Sequence, residues 1–348
     1  MNVLGIESSC DETAASIVRD GRVLLSDVVN SQIDIHTLYG GVVPEVAARS
    51  HIEVINPVIN QALADANMRW DDIDAIAVTY APGLIGSLLV GTLAARTLAV
   101  LKNKPLYPIH HVEAHVYANF LNQTAPEFPM LALIVSGGHS QLVLFRDHGD
   151  YELLGQTQDD AVGEAFDKVA KIIGLPYPGG PSIAAAALEG DPGAYKLPKA
   201  KMSGKYDFSF SGLKTAVLRA VQHEVGVDFT FASHELAARL NDVQRANFAA
   251  SFQRTAVETL VDKAEQAFKD YQPKSVVIAG GVAANSELRR QLSERLPLHI
   301  DYAPMNLCTD NAAMIATLGY YYAQKIQPTD PFDLEVVPSL SMTKTAWA

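Results

Sequence analysis

Cysteine is scarce: Cys10 and Cys308 are the two in 348 residues. One pair is too few for a disulfide framework, so the fold rests on its core. Charged residues make up 19% and no long polar tract breaks the chain, which excludes extensive disorder. Positive charge is in deficit, with a net charge of −12. That excludes a chain coated in nucleic-acid-binding basic residues, but not a local basic patch. The opening MNVLGIESS has no cationic region before its apolar run, so no signal peptide is expected. The most apolar long stretch, Leu84 to Leu101, contains Arg96 and several small residues. It reads as a buried helix, not a membrane span. A soluble cytoplasmic protein without a membrane partner is the expectation. What is present is a 48% hydrophobic content, ample for a core, over a length that suggests two domains or one large one.

The chain repeats a pattern. The run from Val3 to Ile6 enters a polar turn, Ser8-Ser-Cys-Asp-Glu-Thr13, and a second apolar run, Ala14 to Val18, follows. Later, Leu131 to Val135 enters Ser136-Gly-Gly-His-Ser140 and then Gln141 to Phe145. Both read as a β-hairpin with a polar tip. Downstream of each lies a buried strand, a Gly turn and a helix: Ile73 to Val78 with the turn Ala81 to Gly86, and Ser275 to Ala279 with Gly280-Gly281. Chance similarity of generic α/β units is the alternative to duplication. Duplication predicts two α/β lobes facing across a cleft. The Pro-containing connector from Asn122 to Pro129 marks the boundary, giving lobes of residues 1–125 with a tail of 320–348, and 126–319. An apolar helical face in the first half is also suited to a homologous partner.

The hairpin tips suit a nucleotide. Ser136, Gly137 and Gly138 let the backbone approach a phosphate, because glycine carries no Cβ. Ser8, Ser9 and Thr13 offer hydroxyls, and Asp11 and Glu12 are candidates to hold a metal or a water. A plain tight hairpin is the bland alternative. Gly280-Gly281 followed by Asn285 entering a helix suits a nucleoside, or is a simple strand-to-helix turn. In His110-His111-Val-Glu-Ala-His115, a helix places His111 and His115 on one face, as two metal ligands require. A polar helix face is the alternative. Glu113 lies two residues after His111 and on another face, whereas a metalloprotease places its glutamate next to the first histidine. Asp310, in Cys308-Thr-Asp-Asn311, is the candidate third ligand. Asp167 and Lys168 lie in an amphipathic helix start, and Tyr177-Pro-Gly-Gly-Pro181 is a rigid turn suited to capping a pocket. Lys196, Lys199, Lys201 and Lys205, with Tyr206 and Phe208 beside them and Lys214 and Arg219 following, form either a phosphate-backbone contact or a solvated loop.

Eight motifs occur in order from residue 5 to about 316: GIESSCDETAAS, HHVEAH, VSGGHSQL, GEAFDKVAK, YPGGPSI, DFSFSGLKTAV, GGVAANSELR and CTDNAAMIA. Together they resemble the TsaD family, also called Gcp and formerly the O-sialoglycoprotein endopeptidases. The resemblance implies a duplicated actin/hexokinase/Hsp70-like (ASKHA) ATPase fold. It implies an acyltransferase that moves the threonylcarbamoyl group of threonylcarbamoyl-AMP to N6 of adenosine 37, in tRNAs reading codons that begin with A, and releases AMP. The implied partners are tRNA, TsaB and TsaE. Carried over by motif, His111, His115 and Asp310 bind one metal ion, iron in the family, with Glu12 catalytic beside it. Ile134, Val135, Ser136, Gly137 and Gly138 hold the adenylate, and Asp167, Gly180 and Asn285 contact substrate. Ala184 stands where many members carry a polar residue, and no contact is assigned to it.

The chemistry agrees with this expectation. A carbamoyl adenylate is a mixed anhydride with a good leaving group, so positioning and charge stabilisation are the enzyme's main tasks. No serine or cysteine nucleophile is needed, and no GxSxG elbow occurs. The competing readings are a sugar or acetate kinase of the same fold, a metalloprotease, and an assembly protein that uses ATP as a switch. Two histidines and an aspartate accept iron or zinc alike.

Overall fold

A computed structural model describes residues 1–343. The chain divides into two compact units: residues 1–127, 145–151 and the chain from Tyr302 on, and residues 128–144 with 152–301.

In the first unit, β1 (Asn2–Glu7) pairs antiparallel with β2 (Glu12–Arg19), which pairs with β3 (Val23–Ser31). On its other side β1 runs parallel to β4 (Ala75–Ala81), and β4 to β5 (Leu106–His110). Strands β1 and β4 read as near-continuous apolar runs because both faces of a parallel sheet are covered. Side chains alternate between the faces. Leu4 and Ile6 enter the core made with α2 (Pro44–Asp65) and α3 (Ile85–Lys102), while the short α1 (Ile33–Thr37) precedes α2. Val3, Gly5 and Glu7 point the opposite way. That face is covered by α10 (Ala312–Ala323), whose backbone lies so close that a Cβ on Gly5 would sit 2.3 Å from the Ala312 carbonyl oxygen. Gly319 on α10 answers it, since a Cβ there would meet the Ala77 side chain at 2.5 Å. Helix α4 (His111–Tyr117) follows β5 directly.

The second unit repeats the plan. Its sheet has the order β10 (Ile300–Tyr302), β9 (Ser275–Ala279), β6 (Met130–Val135), β7 (Ser140–Asp147), β8 (Asp150–Gln156), so three consecutive strands again join a later pair. Strand β6 runs parallel to β9. The helices are α5 (Val162–Ile173), α6 (Gly179–Ala187), α7 (Ser211–Glu224), α8 (Asp242–Tyr271) and α9 (Ser286–Arg295).

Three expectations shift. Residues 302–319, expected with the second half, belong to the first unit, because α10 packs on β1. Helix α3 is not a buried helix: its small residues Ser87, Gly91, Ala95 and Ala99 face inward, while Ile85, Leu89, Leu93, Val100 and Leu101 are exposed. It is long and apolar enough to cross a membrane by composition, yet its inner face is part of the sheet's core. The lysine segment is partly neutralised. Lys199 pairs with Asp262 at 2.6 Å and Lys205 with Asp270 at 2.7 Å, both on α8.

The Gly5 contact yields a stability test. Gly5→Ala forces backbone apart and is expected to cost about 1–3 kcal/mol in urea unfolding. Gly212→Ala, where a Cβ meets nothing within 4 Å in α7, is expected to be neutral or stabilising.

Candidate functional site

Strand parity places Glu7 on the α10 face of the first sheet, where β1 ends. Continuing the β1–β4 register past Ile6 and Val78 sets Thr79 beside it. Thr79 Oγ1 donates to Glu7 Oε2, and the Ser9 backbone N–H donates to Oε1. Helix α4 starts at the same edge of the sheet, capped by His110, whose Nδ1 accepts the Glu113 N–H at 3.4 Å. One turn apart on α4, His111 and His115 bring their Nε2 atoms within 3.2 Å. Asp310 immediately precedes Asn311, which caps α10 by accepting the Met314 N–H. Its Oδ1 lies 3.2 Å from His115 Nε2 and 3.6 Å from His111 Nε2. Sequence positions separated by about two hundred residues thus converge on one point.

These donors fit a divalent cation. Bonds of about 2.0–2.1 Å to such an ion put tetrahedral ligand atoms about 3.3 Å apart, close to the separations observed. The electrostatics agree. Burial lowers the pKa of His111, but the carboxylates of Glu7 and Asp310 outweigh it and raise it to about 9. Glu7 itself is held below the ordinary range: burial opposes ionisation, and the His111 charge prevails. Glu12 opens β2 and accepts from Ser31 Oγ at 3.2 Å. Burial, then Asp310 and Asp11, push it up to about 9. Carboxylates crowded in this way are relieved by a cation. Glu113 lies apart from the two Nε2 atoms: Tyr322 of α10 donates to its Oε2 at 3.0 Å, and burial raises it to about 7. It ties α4 to α10 and is not placed as a proteolytic base. Burial and neighbouring carboxylates push the Cys10 thiol far up, so it is no nucleophile.

In the second unit, Ile134 and Val135 end β6, buried, and Ser136, Gly137 and Gly138 form the turn beyond it. Ser136 N–H donates to the His139 carbonyl, and Gly163 N–H to the Ser136 carbonyl. A Cβ on Gly137 or Gly138 would meet nothing, so their backbone faces open space. Gly280, at φ +88°, packs against the Val135 carbonyl, so the turn after β9 adjoins the turn after β6. The carboxyl ends of adjacent parallel strands are where α/β sheets bind ligands. Asp167, on α5, accepts the Gly179 N–H at 2.7 Å and so holds the start of α6, where Gly180 is open; burial raises its pKa. Asn285 caps α9 through Leu288 N–H and donates to Gln253, so both ends of its amide are engaged internally. Lys168 pairs with Asp160 and Glu164.

Glu7 and Thr79 were not among the residues singled out from the sequence. One signal was available: a glutamate ending an apolar strand must find a cationic or donor-rich partner when buried.

The two-sheet architecture places the protein among actin/hexokinase-like α/β proteins, and solved structures agree. Similar folds occur in HypF of T. kodakarensis (TM-score 0.63, 13% identity, 93% of this chain and 48% of that one). They occur also in component A of the Acidaminococcus fermentans (R)-2-hydroxyglutaryl-CoA dehydratase (TM-score 0.50, 17% identity, 93% and 100%). A family model described as TsaD, tRNA N6-adenosine threonylcarbamoyltransferase, matches residues 23–317. Proteins of that name from Thermomicrobium roseum and Symbiobacterium thermophilum are 50% and 51% identical, over 97% and 98% of this chain and 95% and 96% of their own lengths. The chain belongs to the tRNA N6-adenosine threonylcarbamoyltransferase family.

The cap of α4 supplies a pH test. His110 is neutral in the fold, its Nε2 donating to the Leu340 carbonyl, and burial lowers its pKa from 6.5 to about 4. Because the folded value is depressed, this contribution is present above pH 6.5 and is lost as pH falls toward 4. His110→Asn keeps a capping acceptor but not the Leu340 bond. The stability gap to wild type, about 1–3 kcal/mol at pH 7, is expected to narrow in urea titrations toward pH 4.

Proposed function

We propose that this enzyme transfers the threonylcarbamoyl group from threonylcarbamoyl-AMP to N6 of adenosine 37 in tRNAs reading codons that begin with A. The observation that carries the reading is identity of about one half to named threonylcarbamoyltransferases over nearly the whole of both chains. In the balanced step, the N6 amine attacks the carbamoyl carbon, the bond from that carbon to the phosphate oxygen breaks, AMP departs and N6 loses a proton. His111, His115 and Asp310 would hold one metal ion, iron or zinc. Bound there, it supplies Lewis-acid polarisation of an acyl or phosphoryl oxygen. Glu12, buried at the start of β2 and coupled electrostatically to Asp310, is the proposed catalytic carboxyl beside this centre. In the turn after β6, Gly137 and Gly138 would offer their backbone N–H groups to the adenylate phosphate, with Asp167 and the helix start at Gly180 as further substrate contacts. Asn285, fixed by its cap on α9, would contact the nucleoside.

The assay is tRNA modification by the purified chain with donor and partner proteins, read by nucleoside mass spectrometry. Asp310→Ala, and His111→Ala with His115→Ala, are each expected to lose at least about 100-fold in activity, the scale of removing a charge-stabilising group. Full activity in either variant would remove the metal role. Wild-type protein unable to form the modified nucleoside would remove the whole reading.

TsaB and TsaE are the proposed partners, in the cytoplasm. The exposed Leu89 and Leu93 of α3 support a protein partner. Membrane insertion would strip Leu88, Ala95 and Ala99 from the core, where they are at most 2% exposed. Leu89→Asp with Leu93→Asp is expected to weaken TsaB binding at least about tenfold in calorimetric titration, with unfolding midpoint unchanged.

A further inference from the structure

Glu7 is fully buried, and its carboxylate meets three donors. Ser9 N–H donates to Oε1, while Thr79 Oγ1 and His111 Nδ1 both converge on Oε2, the latter at 3.1 Å. Two of these donors are anchored: one is backbone, and the other sits on a central strand. The carboxylate therefore cannot rotate without leaving a buried polar group unmet. A carboxylate can only accept, so the hydrogen between it and His111 belongs to Nδ1. When the ring is neutral, as a metal ligand must be, the lone pair is then on Nε2, the atom that faces His115 and Asp310. Ser9 Oγ, 3.1 Å from the same Nδ1, can share that hydrogen. His115 has no such support, since its Nδ1 is buried without a hydrogen-bond partner among the described residues.

We propose that Glu7 is a positioning residue that holds the Nδ1 proton of His111 and so commits Nε2 to the metal position shared with His115 and Asp310. This rests on the metal reading of that site. A carboxylate behind a ligating histidine fixes tautomer and ring orientation and raises ligand basicity. The surroundings also predict what an isosteric amide does there. Ser9 N–H can only donate, so the oxygen of the amide introduced by Glu7→Gln must face it. Its NH2 then faces His111 and must donate to Nδ1. The histidine is driven into the Nε2–H tautomer, with a hydrogen where the metal bond would form. Glu7→Gln is thus more harmful than its size suggests, whereas Thr79→Val removes one support and leaves the tautomer unchanged.

The test is Zn2+ affinity of the full chain, measured by competition with a chromophoric chelator, together with 15N spectra of labelled histidines in the zinc-loaded protein. Glu7→Gln is expected to weaken Zn2+ binding about 10–100-fold, and Thr79→Val by less. In loaded wild type, one metal-bound histidine is expected to show a protonated, hydrogen-bonded Nδ1 that His111→Ala removes. Equal affinity in wild type and Glu7→Gln overturns the assignment while leaving the metal in place. Wild-type protein that takes up no Zn2+ or Fe2+ overturns the metal reading and this assignment with it. If Glu7→Gln does not fold, the wild-type spectrum decides: a His111 bound to metal through Nδ1, or lacking the Nδ1 hydrogen, sinks the proposal.

Discussion

Helix α10 lies with its backbone on β1 because residues 5 and 319 carry no side chain, and much of the first unit's chemistry follows from that contact. Asp310 is tethered to α10 through the Asn311 cap, so the height of the helix above the sheet sets the height of its carboxylate. Tyr322, three turns along the same helix, reaches Glu113 and secures α4 from behind. Helix α4, which bears the histidines, and α10, which follows Asp310, are thereby fixed to each other. The site is assembled on rigid elements at the end of a sheet, which suits chemistry that depends on positioning more than on a covalent intermediate.

The electrostatics of the centre favour a cation. Glu7 and Asp310 face two imidazoles whose Nε2 atoms lie 3.2 Å apart. Two such nitrogens facing one another favour a shared electrophile. A divalent ion meets both lone pairs and offsets the carboxylates, whereas a proton satisfies only one nitrogen. The second unit has a different character: its turn after β6 is open, glycine-lined and furnished with backbone N–H groups, the features that suit a phosphate.

Much of this was legible in local sequence. The hairpin-then-strand repeat anticipated two sheets of matching strand order, because apolar runs and polar turns are properties of short segments. Helix α3 was misread as buried for a related reason. Composition reports how apolar a helix is, not which of its sides meets the core, and here mostly small residues face inward with Leu88 while Leu89, Leu93 and Leu101 face out. The lysine segment read equally as a phosphate-backbone contact or a solvated loop, and α8, more than fifty residues later, supplies carboxylates to Lys199 and Lys205.

The sequence by itself determined the pairing of His111 with His115, since one helical turn separates them and no distant contact is needed to align them. It also determined the family, through motifs spread over nearly the whole chain, and it pointed to Asp310 as a candidate third ligand. Only the tertiary structure decided that Asp310 meets those histidines, and that Glu7 and Thr79 stand behind one of them. Those relations depend on strand register, on the face to which a side chain alternates, and on how closely a helix settles on a sheet. None of these is a property of residues near one another in the chain.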